Sequence, residues 1–185
     1  MKYILFALAL LTTAPSVYAQ KAGTTETAPA LPIDPNTHLM TYTAVVEVPG
    51  ATKDELYARA LEWMAKTYQS ANDVVQLKDK AAGEIIAKGG IPFFFKHQPC
   101  GYVVHTQTLF VKDGRYKFVM TDFKHVNVLP VRDWSMGPLE QPTTPKGFLK
   151  RAWAEVQSTT DEKAKAMIAS LEQAMQAKGK AASDF

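Results

Sequence analysis

Residues Tyr102–Val126, YVVHTQTLFVKDGRYKFVMTDFKHV, decide the fold. Two arms rich in β-branched and aromatic residues flank Asp113-Gly114, a dipeptide suited to a two-residue type I′ turn. Such a turn sets Lys112 opposite Arg115, and the remaining pairs follow from it. One face carries Val111 with Tyr116, Leu109 with Phe118, Gln107 with Met120, and His105 with Asp122. The other carries Phe110 with Lys117, Thr108 with Val119, Thr106 with Thr121, Val104 with Phe123, and Tyr102 with His125. The first set is the more apolar near the turn, so it belongs under helices, and the threonine-rich second set belongs toward solvent.

Upstream, IPFFFKHQPCG (Ile91–Gly101) contains two prolines and reads as a long loop. Before it, DVVQLKDKAAGEIIAKGG (Asp73–Gly90) reads as two short strands joined by a turn at Lys80–Gly83. Further back, MTYTAVVEVPG (Met40–Gly50) is a strand closed by Pro49 and Gly50. The segment ATKDELYARALEWMAKTYQ (Ala51–Gln69) follows as a helix. Thr52 and Glu55 form its capping box, and Tyr57, Leu61, Met64 and Tyr68 share one face.

Downstream, residues 128–144 are irregular. A short helix is expected from Thr144-Pro145, with Leu149, Trp153 and Val156 on one face. A longer final helix is expected from a capping box at Thr159 and Glu162 to a stop at Gly179. Its apolar stripe is Ala164, Met167, Ile168, Leu171 and Met175. Strand, helix, four antiparallel strands and a long C-terminal helix packed on the sheet make an α+β fold.

The first residues bound the compartment. Lys2, the apolar run Tyr3–Leu11 and the small-residue boundary PSVYAQ predict a signal peptide over 1–19, cleaved after Ala19 and too short to span a bilayer. No cysteine follows that boundary to take a lipid anchor. Residues 20–38, rich in Thr, Ala and Pro, read as a flexible tether, and 39–180 as one domain. The expected location is outside the cytoplasm, periplasmic or secreted, with no transmembrane segment in the mature chain. Without Lys2 the chain carries 20 basic and 18 acidic residues, a balance that argues against a nucleic-acid partner. A lone Cys100 makes no internal disulfide, so the apolar core must hold the fold.

Three places carry possible chemistry. His105 facing Asp122 has the form of a general base with its orienting carboxylate, but no nucleophile or second acid is specified beside it. The pair is read as structural or as a polar anchor in a pocket. His97, Cys100 and His105 suggest zinc, yet Cys100 and His105 are ~16 Å apart along a strand and face opposite ways. A triad of His97, Cys100 and His125 is the better candidate, though it extends the hairpin register past Pro99, and no metal or cofactor is assigned. The glycines of AKGGIPF lack the Gly-Lys-Ser/Thr ending of a phosphate loop. Three successive rings, Phe93 to Phe95, cannot all enter one core, so at least one is exposed.

The segments VVEVPGATKDELYARALEW, LKDKAAGEIIAKG and VKDGRYKFVMTDF, within Thr41–Phe123, resemble a family of exported bacterial domains of unknown function with a TBP-like fold. The resemblance implies that topology and brings no catalytic signature. A curved antiparallel sheet gripping a long helix also occurs in carriers of hydrophobic small molecules. The sequence therefore supports a non-catalytic binding or scaffold domain of the bacterial envelope, contacting a partner protein through Phe93–Phe95 and Trp134. The alternative is a carrier of a small hydrophobic ligand, in a pocket between sheet and C-terminal helix formed by His105, Met120, Asp122, Met167 and Leu171. An esterase-like or metal-dependent enzyme ranks third.

Overall fold

A computed structural model describes residues 30–68, 71–127, 135–141, 143–145 and 150–177. Strand β1 (Tyr42–Glu47) leads into helix α1 (Lys53–Thr67) and a four-residue helix α2 (Ala71–Val74). Strands β2 (Val75–Asp79), β3 (Glu84–Phe95), β4 (Gln98–Lys112) and β5 (Arg115–Val126) follow. A two-residue strand β6 (Gly137–Pro138) and helix α3 (Lys150–Gln176) complete the order. The sheet runs β1-β5-β4-β3-β2 and is antiparallel throughout, with β6 beside the far end of β5. Both long helices cover one face, which is the expected α+β architecture.

The capping box forms as read. Thr52 N–H donates to Glu55 Oε2 at 2.7 Å while Glu55 N–H donates to Thr52 Oγ1 at 3.2 Å, a cap worth ~1 kcal/mol. The β4–β5 turn then locks onto this helix start, because Lys53 N–H donates to Asp113 Oδ1 at 2.7 Å. Only Gly114 takes a positive φ, 72°, so the turn is not the expected type I′. The type I′ signature of two successive left-handed residues appears instead at Lys96 (φ 48°) and His97 (φ 65°), between β3 and β4.

That turn corrects the expected long loop: Ile91–Phe95 and Gln98–Gly101 are strand. The prolines fit because each lies where a ladder bond is not needed. Pro92 stands on β3 beyond the reach of β2, and Pro99 stands on β4 beyond the end of β5. Cys100 is the extra residue of an irregularity between Phe93↔Gly101 and Phe94↔Pro99.

The C-terminal region differs too. The two expected helices are one 27-residue helix, and Thr160 is buried within it rather than next to a helix start. No proline or glycine interrupts Lys150–Gln176, and threonines in mid-helix cost only some tenths of a kcal/mol each. Continuity lets α3 join two core clusters. Leu171 and Met175 pack with α1, Ile85 and Leu109, while Trp153, Val156 and Ala164 pack with Met120, Phe123 and Leu139.

Folded structure also begins before residue 39. Asp34 Oδ1 accepts from the N–H groups of Asn36 and Thr37, both at 2.9 Å, Ile33 bridges Met40, and Leu31 packs on the core. The signal segment 1–19, Trp134, Leu149 and Gly179 lie outside the described residues.

Candidate functional site

The expected register holds from the turn to Thr106↔Thr121 and then breaks. The next pair is Val104↔Lys124, so β5 places Asp122 and Phe123 against the single residue His105. Asp122 takes a φ of 59° and turns out to solvent. The His105–Asp122 pair is therefore not formed.

Energetics explain the bulge. An unbroken register would bury Asp122 and Lys124 and expose Phe123 and His125. Burying a phenylalanine is worth ~2 kcal/mol, and an unpaired buried charge costs several more. A left-handed non-glycine residue costs only ~1–2 kcal/mol. The bulge wins, and Phe123 and His125 become fully buried.

His105 instead joins a buried polar cluster. Gly89, its cross-strand partner on β3, has no side chain, and the ring of Tyr68 occupies that space; a Cβ there would lie 2.4 Å from Tyr68 Cε1. Tyr68, just past the end of α1, thus reaches His105 Nε2 at 3.2 Å and donates to Gln107 Oε1 at 3.0 Å. With the hydroxyl proton given to Gln107, the neutral imidazole donates from Nε2. Phe123 stacks on the other side of the imidazole, centroids 5.5 Å apart. His105 Nδ1 and Gln107 Nε2 are buried without hydrogen-bond partners among the described residues. Burial pushes the His105 pKa down to about 4, against a smaller upward pull from the Val103 backbone. Burial likewise raises the pKa of Tyr68 well above the ordinary phenol value. At neutral pH this is an uncharged, packed cluster.

His125 accepts from Met136 N–H at Nδ1, 3.2 Å away, so its proton sits on Nε2. Its pKa is also lowered by burial. Cys100 Sγ donates to the Gln98 carbonyl at 3.4 Å, and His97 is exposed in the turn. Among the described residues no three His, Cys, Asp or Glu side chains are gathered as a metal site requires.

The five residues expected to form a pocket are dispersed. Met120 and Leu171 are fully buried, in different core clusters. Asp122 is on the opposite face of the sheet, and His105 is closed under Tyr68. Met167 alone lines the open cleft of about 1350 Å³ between α1, α3 and β3, together with Trp63, Tyr68, Ile91 and Ser170. Trp63 Nε1–H donates to Ser170 Oγ at 3.1 Å and Arg59 donates to the Met175 carbonyl at 2.7 Å, tying the cleft walls together.

The second accessible surface is the uncovered sheet face. Val45, Lys117, Phe110 and Glu84 form one cross-strand row, followed by Thr43, Val119, Thr108 and Ile86. Nearer the β3–β4 turn come Tyr102 beside Pro92, and then Phe94. Val45, Phe94, Tyr102 and Phe110 are exposed large apolar side chains there. Alternation in the sequence predicted Phe110 and Tyr102 outward. Phe93 is buried and Phe94 exposed, which meets the expectation that the three rings divide.

A family model described as a domain of unknown function (DUF4468) with TBP-like fold matches residues 42–126. Among solved structures, the chain is similar to a TBP-like protein from Parabacteroides distasonis, with a TM-score of 0.64 and 13% identity over 80% of this chain and 99% of that one. It is also similar to a DUF4468 family protein from Bacteroides ovatus, with a TM-score of 0.55 and 16% identity over 77% of this chain and 90% of that one. No curated protein matches the chain. At these identities the two structures speak for the fold, and the family match covers α1 and the whole of β1–β5: residues 42–126 match the DUF4468 domain model, and the fold is TBP-like.

Proposed function

We propose that the protein is an exported binding module that acts through the face of its sheet opposite the helices. The observation that supports this is the one-sided covering: α1 and α3 bury one face, while Val45, Phe94, Tyr102 and Phe110 stay exposed on the other. Isolated exposed apolar residues are ordinary, but these four, joined by Leu77 opposite Ile86 on β2, suit a contact surface on one rigid sheet face. The backbone beneath them is fixed by ladder bonds, so little ordering entropy is lost on binding.

A photo-crosslinking residue placed at Tyr102 or Phe110, in cells expressing the full chain, tests this. Discrete adducts are expected from both positions and not from Glu62 on α1. Adducts from Glu62 alone would contradict it.

The open cleft supports a second reading, a carrier of a small hydrophobic ligand, since Trp63, Ile91 and Met167 give it apolar walls. Native mass spectrometry of purified protein is expected to show a bound lipid-like mass if that reading holds, and the bare chain mass if it fails.

A further inference from the structure

We propose that the β3–β4 end of the sheet docks on an anionic lipid bilayer. This rests on the reading that the uncovered sheet face binds, and it names the occupant of one end of it. The hairpin outruns its neighbours there. β2 stops opposite Ala87 and β5 stops opposite Tyr102, so the last residues of β3 and the first of β4 form a two-stranded tip. The tip extends ~14 Å past the end of β5. Its inner side is held, because Phe93, Phe95 and Cys100 pack against the core cluster around Phe123 and Leu139. Its outer side presents Phe94, 54% exposed, and Tyr102, 43% exposed, around Pro92.

The charge around these rings has one sign over a long stretch. From Ile85 to Lys112 the sequence contains no Asp or Glu, while Lys88, Lys96 and Lys112 fall within it. Lys96 sits at the turn with its Nζ 5.7 Å from the Phe95 ring centroid, and His97 is beside it. Lys88 and Lys124 stand exposed on the same face behind Tyr102, and neither makes an ion pair among the described residues. Among the described residues, Asp122 is the acidic side chain on this face toward that end, while Glu47, Asp79 and Glu84 lie at the opposite end of the sheet. Exposed rings at a projecting end, with lysines set behind them, match a bilayer interface. The rings enter the headgroup layer and the lysines meet anionic phosphates. No described helix is long and apolar enough to cross a membrane, so the contact proposed is peripheral.

Co-sedimentation tests this, using the chain from Gln20 onward, which contains every described residue. The probes are vesicles of phosphatidylcholine with one-third phosphatidylglycerol, and vesicles of phosphatidylcholine alone. Binding is expected on the anionic vesicles, with little on the neutral ones. It should fade between about 0.1 M and about 1 M salt, as the Debye length falls from ~10 to ~3 Å. Neutralising Lys88 or Lys96 is expected to weaken binding about fivefold each, and F94S/Y102S to weaken it further with an unchanged melting temperature. Absence of binding by folded wild type overturns the proposal, as does wild-type binding by a folded F94S/Y102S/K96E variant. Protein adducts from Tyr102 without vesicle binding would overturn the bilayer while leaving the sheet face as a contact surface. Failure of both experiments would remove the face itself.

Discussion

His105 is the residue whose surroundings most constrain its chemistry. It is 2% exposed, stacked on Phe123 and closed under Tyr68. Its folded pKa of about 4 lies below the ordinary histidine value of 6.5. Between those values the unfolded chain binds the extra proton and the folded chain does not. Stability is therefore full above pH 6.5 and falls as pH drops toward 4, by about 3 kcal/mol from this group. His125, lowered in the same direction, adds to the loss. Denaturant melts across that range are expected to show the decline, and H105Q to be less stable at pH 7 but flatter with pH. A wild-type profile flat between pH 7 and pH 4.5 would contradict the buried-neutral assignment. Asp122 provides the companion test. D122N is expected to change stability by less than about 0.5 kcal/mol, whereas an ion-paired Asp122 would make the loss larger and pH-dependent.

At the scale of elements, the hairpins show what the sequence made legible. The α1 capping box, the Asp113-Gly114 reversal and the burial of Leu109, Val111, Tyr116, Phe118 and Met120 were all readable, because each rests on near neighbours. The β5 bulge left a readable trace as well. Apolar residues keep one parity through Tyr116, Phe118 and Met120, then change phase at Phe123, and only an extra residue between them serves both. The β3–β4 turn left none, since Lys96-His97 has neither glycine nor asparagine to mark two left-handed positions. Its strands also contain prolines that only edge positions tolerate. The turn conformation yields a prediction: H97G relieves one strained residue and is expected to stabilise the fold by up to ~1 kcal/mol. Denaturation midpoints check this, and a destabilisation would count against the turn geometry. At Gly101, with φ 123°, a Cβ would lie 2.1 Å from the Val126 carbonyl oxygen, so G101A is expected to destabilise by several kcal/mol.

Across the whole molecule, α3 fixes which side of the sheet is core. It joins both hydrophobic clusters, and Asp161 on it accepts from the Tyr42 hydroxyl of β1 at 2.6 Å and from Lys165 at 2.8 Å. The pocket expected between sheet and helix was not recoverable from the helix stripe. Periodicity shows which face of α3 is apolar, but not how far the helix stands from α1, and the cleft arises from that spacing. The outward rows of the sheet were readable by alternation, and it is this surface that the functional proposal uses. Lysine-reactivity footprinting of the protein in intact cells that express it, compared with purified protein, tests that proposal most directly. Protection is expected at Lys88, Lys117 and Lys124 on the sheet face, with Lys66, Lys163 and Lys165 on the helices unchanged. Protection confined to Lys66 and Lys163 beside the cleft would contradict it.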